Sequence, residues 1–219
     1  MNDQNHFAVL ATDIAVLTVG GGQLRILITS AKSKDFKGEP VLPGGLVGID
    51  EHIEEAAKRI LDSVMSRTNF YSEQLYTFDN PSRDPQGRVV SVAFVMLIPS
   101  DVADRIIKKE NASWQSVKSL SKLGYDHNEI VKTAVRRLRG KLTYTNIVFA
   151  LMPSEFRLSD LQKVYETVFE TPLDKRNFVK KIKSLKLLTK TGHKMEGEAH
   201  RPASLYKFTN KEYKVVEVF

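Results

Sequence analysis

The chain has 219 residues, 42% hydrophobic and 27% charged, which suits two packed domains and excludes a disordered polyelectrolyte. No apolar run of about 18 residues exists to span a membrane, and the absence of cysteine excludes disulfides and thiolate metal sites. The net charge of +7 is unevenly placed: residues 1–150 hold 19 basic and 17 acidic residues, whereas 171–211 hold 11 basic and three acidic ones. A basic field focused on so short a stretch points to a polyanion partner.

In chain order, the start carries Asp3 and Asp13 and lacks the basic segment of a signal peptide, so the cytoplasm is the expected compartment. Residues 7–19 and 24–29 are β-rich runs joined at Gly20-Gly21-Gly22, which predicts a hairpin. A short strand over 41–42 runs into Pro43-Gly44-Gly45. Ile53, Ala56, Ala57, Ile60, Leu61 and Val64 recur at helical spacing and predict an amphipathic helix over 51–67. Strands over 73–78 and 89–98 flank a turn-rich segment, 81–88. A second helix is predicted over 128–139, with Ile130, Val131, Ala134, Val135 and Leu138 inward. Together these make an α/β domain over 1–140, a mixed sheet flanked by helices.

After Gly140 the pattern changes. A short apolar helix over 146–151 ends before Pro153. A second helix opens at Ser159-Asp160-Leu161 and a third at Thr171-Pro172-Leu173-Asp174, reaching about 185. β-prone segments over 187–191 and 203–208 enclose the loop 192–202. Three helices and a terminal hairpin predict a winged helix-turn-helix over 141–219.

The stretch "GGLVGIDEHIEEAAKRILDSVMS", residues 44–66, carries the first chemical signal. Gly45, Glu51 six residues on and Arg59 eight further on resemble the Nudix box, Gly-x5-Glu-x7-Arg-Glu-U-x-Glu-Glu-x-Gly-U with U aliphatic. In that family, glutamates one turn apart on a helix hold Mg²⁺ or Mn²⁺ against a pyrophosphate. This chain has Ile60, Ser63 and Val64 in their places, which offer no anionic oxygen to a hard cation. Asp62 lies about 100° round the helix from that face. The expectation is a Nudix fold without Nudix catalysis, with Glu51 and Arg59 paired or Arg59 capping the loop carbonyls. No metal or cofactor is implied, and the five histidines are scattered.

The second signal lies in Arg137-Leu138-Arg139-Gly140-Lys141, Leu161-Gln162-Lys163-Val164-Tyr165-Glu166, Leu173-Asp174-Lys175-Arg176-Asn177-Phe178 and Arg201-Pro202-Ala203-Ser204-Leu205-Tyr206-Lys207-Phe208. Four motifs in this order resemble the Nudix-related transcriptional regulators, the NrtR family and its AraR-type sugar-responsive relatives. His200 stands where that family has Gly before Arg-Pro. The resemblance implies a homodimeric repressor. Its winged helix binds operator DNA, and its Nudix-like domain senses ADP-ribose, a related NAD-pathway compound or, in the AraR type, arabinose. Lys175, Arg176, Asn177, Lys180 and Lys181 on the third helix, with His200 and Arg201 in the wing, are the candidate DNA contacts. Segment 80–94, "NPSRDPQGRVVSVAF", resembles a loop common to these regulators; Arg83, Asp84 and Arg88 join Glu51 and Arg59 as candidate effector contacts. Alternatively, Arg83 belongs to a rigid turn with an internal Arg–Asp pair. The rival function is an ADP-ribose pyrophosphatase with a basic tail, drawing metal ligands from Glu51, Glu54 and Glu55.

Overall fold

The computed structural model describes residues 7–108, 111–194 and 204–218. Strands β1 (Val9–Gly20) and β2 (Gln23–Ser30) form the expected hairpin, in which Gly21 and Gly22 take left-handed φ of 61° and 73°. Strands β3 (Pro40–Val41) and β4 (Gly44–Leu46) bracket Pro43, and helix α1 (Ile53–Asp62) follows. Strands β5 (Tyr71–Phe78) and β6 (Val89–Leu97) are antiparallel, and β6 lies parallel to β1. The sheet runs β3-β2-β1-β6-β5, with β4 added to β1 and β7 (Ser113–Ser116) to β2. It is therefore mixed, as expected.

Because strand side chains alternate, β1 feeds two cores. Ile14 and Val16 pack with Ala57, Ile60, Leu61 and Val64 from the α1 side. Ala15, Leu17 and Val19 pack on the other side with Ile130, Val131, Ala134, Val135, Leu138 and Leu142 of α3 (His127–Tyr144). That second core continues without a break into α4 (Leu158–Phe169), α5 (Lys175–Ser184) and the hairpin of β8 (Leu188–Lys194) and β9 (Ser204–Phe208) through Phe149, Phe156, Tyr165, Val168, Phe178, Ile182 and Phe208. The winged helix thus grows from the face of the sheet opposite α1.

Several expected boundaries move. The first helix ends at Asp62, not 67, because the Ser63 N–H closes onto Arg59 and Ile60 carbonyls while Met65 bridges Ile107. The second helix does not stop at 139 but runs through Gly140 to Tyr144. Leu138 and Leu142 continue one buried stripe, and their burial offsets the roughly 1 kcal/mol helix penalty of glycine. The apolar segment near 146–151 is a 3-10 turn, Ile147–Ala150. Elements that the pattern does not predict include β4, built on two glycines, β7, too polar and short, and the four-residue α2 (Ser100–Ala103).

At the α3 exit, buried Asn146 is bonded on both sides to the C-terminal segment. Its Nδ2 donates to the Glu212 carbonyl at 2.8 Å, and its Oδ1 accepts from the Lys214 N–H at 2.7 Å.

Candidate functional site

A cleft of about 540 Å³ opens over β1 and β4, between the last turn of α1, the 83–86 segment and the loop after β2. Gly44 faces Asp13 across the β1–β4 ladder, and an added Cβ would collide with the Asp13 carboxylate, so the first glycine of the pair is required by close approach. Glu51 and Arg59 form the expected pair, with both guanidinium–carboxylate contacts at 2.7 Å, and Arg59 also reaches the Leu46 carbonyl at 3.0 Å. Both sequence readings of Arg59 therefore hold at once. Arg59 and the Gly48 N–H together hold the Glu51 carboxyl down at about 2. Glu55 accepts from the His52 N–H at 2.9 Å and caps α1, and Asp62 is occupied by Lys58 and Thr68.

At the cleft floor lies a buried cluster. Asp13 accepts from Arg83 at 3.0 Å and from the Ser91 hydroxyl at 2.7 Å. Arg83 also grips Asp126 with two bonds of 3.0 and 2.8 Å. The Leu42 N–H donates to His127 Nδ1 at 2.9 Å. That bond assigns the ring proton to Nε2, which faces Asp13 Oδ1 at 3.3 Å. Burial pushes the Asp13 carboxyl up, but His127, Arg83 and Ser91 outweigh it and hold the group at about 2.

Of the five candidate effector contacts, Arg59, Arg83 and Asp84 line the cleft. Arg83 is not a free anion receptor. Its side chain is 3% exposed and serves the internal-pair reading, though with Asp13 and Asp126 rather than Asp84. Arg88 does not line the cleft and donates to the Asp79 carbonyl. Glu51 stands outside the lining, behind Arg59. Sequence reading missed Asp13, Tyr125, His127 and Lys32; a lone carboxylate inside an otherwise apolar strand is the available signal for Asp13.

The second site is helix α5. Asp174 caps it through the Asn177 N–H at 2.8 Å, and Phe178 and Ile182 anchor its inner face. Lys175, Arg176, Asn177, Lys180 and Lys183 stand exposed, while Lys181 is half-buried. Among the described residues none of these cations has an ion-pair partner. The turn into α5 is fixed by Glu166, whose Oε1 accepts from the Leu173 N–H at 2.9 Å and from Gln162 at 2.9 Å. His200 and Arg201 lie outside the described residues.

Comparison with known proteins follows the same division. The NrtR DNA-binding winged helix domain matches residues 148–208. The ADPR responsive transcriptional repressor NtrR of Acinetobacter baylyi is 31% identical over 94% of this chain and 84% of its own. The chain belongs to the NrtR family.

NrtR of Shewanella oneidensis, solved in complex with a 27mer DNA, is 28% identical with a TM-score of 0.81, covering 91% of this chain and 93% of the other. The Nudix domain of that NrtR, solved with ADP ribose, is 26% identical with a TM-score of 0.53 over 63% of this chain and 93% of the other. An ADP-ribose pyrophosphatase of Methanocaldococcus jannaschii is 30% identical over 53% of this chain and 69% of its own. The NrtR winged-helix match takes in α4, α5, β8 and β9, the elements that carry and brace the basic helix.

Proposed function

We propose that this NrtR-family chain is a transcriptional repressor that binds operator DNA through α5 and the wing and answers to ADP-ribose held in the cleft. One observation carries the reading. A single core joins an effector-sized cleft to a helix whose exposed cations have no ion-pair partner among the described residues. Lysine and arginine left unpaired on a recognition helix are placed for phosphates and base edges. The DNA-bound relative, the ADPR-responsive repressor and the ADP-ribose-bound Nudix domain support both halves. We assign Lys175, Arg176, Asn177, Lys180, Lys181, His200 and Arg201 to DNA, and Arg59 and Asp84 to the rim of the effector site. We divide the chain functionally at 140/141, inside α3, which then acts as a rigid connection. The cytoplasm, with its DNA, is the working compartment.

The cleft does not suit hydrolysis. Its α1 side is Ile60, Ser63 and Val64, and Glu51 is tied to Arg59 and Gly48. Among the described residues no three acidic or histidine side chains are placed to hold a metal ion. We expect no useful turnover of ADP-ribose with Mg²⁺ or Mn²⁺. Metal-dependent release of AMP that disappears in Glu51→Gln would return the protein to the pyrophosphatase class. Effector identity is tested by thermal shift against ADP-ribose, NAD and arabinose, with stabilisation by ADP-ribose expected. Arabinose as the stabilising ligand would assign the chain to the sugar-responsive type.

A single winged helix makes few base contacts, so we further propose a homodimer on a two-fold operator. Light scattering at micromolar protein is expected to give twice the 24.8 kDa chain mass. A monomer both free and on DNA would contradict it.

A further inference from the structure

We propose that Lys32 supplies the positive charge that holds the effector's diphosphate, on a wall shared with Ser33 and Tyr125, without a bridging metal ion. The inference rests on the reading that the cleft takes ADP-ribose. It begins from the charges. Three lysine and arginine side chains line the cleft: Lys32, Arg59 and Arg83. Arg83 is ion-paired to Asp13 and Asp126 through Nε and Nη2, and Arg59 is paired to Glu51 and bonded to the Leu46 carbonyl through the same two nitrogens. Lys32 is exposed and, among the described residues, has no ion-pair partner. Among the described residues, Lys32 is therefore the one lysine or arginine of this lining whose charge is not already balanced by a carboxylate.

The loop that bears Lys32 is held across the cleft mouth from two sides. Gln86 Nε2 donates to Asp35 Oδ2 at 2.6 Å from the 83–86 segment, and Tyr125 donates to Ser33 Oγ at 2.8 Å from the residue before the α3 cap. Tyr125 itself has a left-handed φ of 56°, with its ring 4.3 Å from Phe36 and 5.2 Å from His127. A non-glycine residue in that conformation persists only where its surroundings hold it, and strain of this kind clusters at ligand sites. The same cleft is lined by the uncharged Ile60, Ser63 and Val64, which neither repel an anion nor recruit a cation. The compact ammonium on a flexible four-carbon stem suits a diphosphate at the mouth, where a fixed guanidinium fork is not needed. Because Tyr125 adjoins Asp126 and His127, a ligand drawn to this wall bears directly on the first turn of α3.

The test is isothermal titration of the full chain with ADP-ribose and with uncharged adenosine, in EDTA and in Mg²⁺. The wild type is expected to bind ADP-ribose equally in both. Lys32→Ala should weaken ADP-ribose by about 10- to 100-fold, the worth of one contact to a charged group, and leave adenosine unchanged. Lys32→Arg should recover most of the loss, and thermal unfolding without ligand should match wild type, since Lys32 is exposed. If wild type binds but Lys32→Ala stays within about twofold, or if binding requires Mg²⁺, the assignment to Lys32 is overturned while the ADP-ribose reading stands. If wild type binds no ADP-ribose in either buffer, the reading of the cleft fails and this inference with it.

Discussion

Arg83→Ala is expected to cost about 3–5 kcal/mol of folding stability, because it strands one buried and one partly buried carboxylate rather than removing one contact. Arg83 is 3% exposed, and its partners Asp13 and Asp126 are 8% and 16% exposed. Asp13 keeps only Ser91 and the His127 ring once the guanidinium is gone. Asp126 occupies the N-cap position of α3, with its carboxylate held by Arg83 rather than by a capping bond, so the loss falls at the start of the helix that joins the cleft to the winged helix. Urea denaturation of the purified variant checks this. A midpoint within experimental error of wild type would mean that the cluster is more solvated than its burial implies. Adding Asp13→Asn should restore part of the loss, since it removes one of the stranded charges.

Arg176→Ala is expected to cost about 1–3 kcal/mol per subunit on the operator and much less on random duplex. Arg176 lies in the first turn of α5, beyond the Asp174 cap, where a recognition helix presents its side chains to base edges. Lys181, half-buried one turn further on, is better placed for the phosphate backbone. Lys181→Ala should weaken both duplexes alike and lower the salt slope by about one for each phosphate contact removed. Fluorescence anisotropy across a salt series separates the two patterns. Unchanged operator preference in Arg176→Ala would mean that α5 does not read bases through this residue. Asp174 must be left intact in such a series, because losing the cap would blur local and specific effects.

Much of this protein is legible in its sequence because local order and burial leave periodic marks. The apolar stripes of α1, α3, α4 and α5 are the ones that bury, and the regulator motifs lie on α3, α4, α5 and, for the described part of the fourth, β9. The Glu51–Arg59 pair is also local: an eight-residue separation bridges a loop and one helix, so spacing alone suggests the contact. By itself, then, the sequence determined two units, the uncharged residues Ile60, Ser63 and Val64 on one helix, and the basic helix. Only the tertiary structure decided what the cleft residues do. Arg83 reads either as an effector contact or as half of a local Arg–Asp pair until Asp13, 70 positions away, and Asp126, 43 positions away, close around it. Lys32 reads as one lysine among many until its neighbours in the cleft prove to be engaged elsewhere. Charge at a site is a sum over groups that the chain brings together from distant positions. Periodicity reports which face of an element is buried, but carries no record of which distant partner waits there.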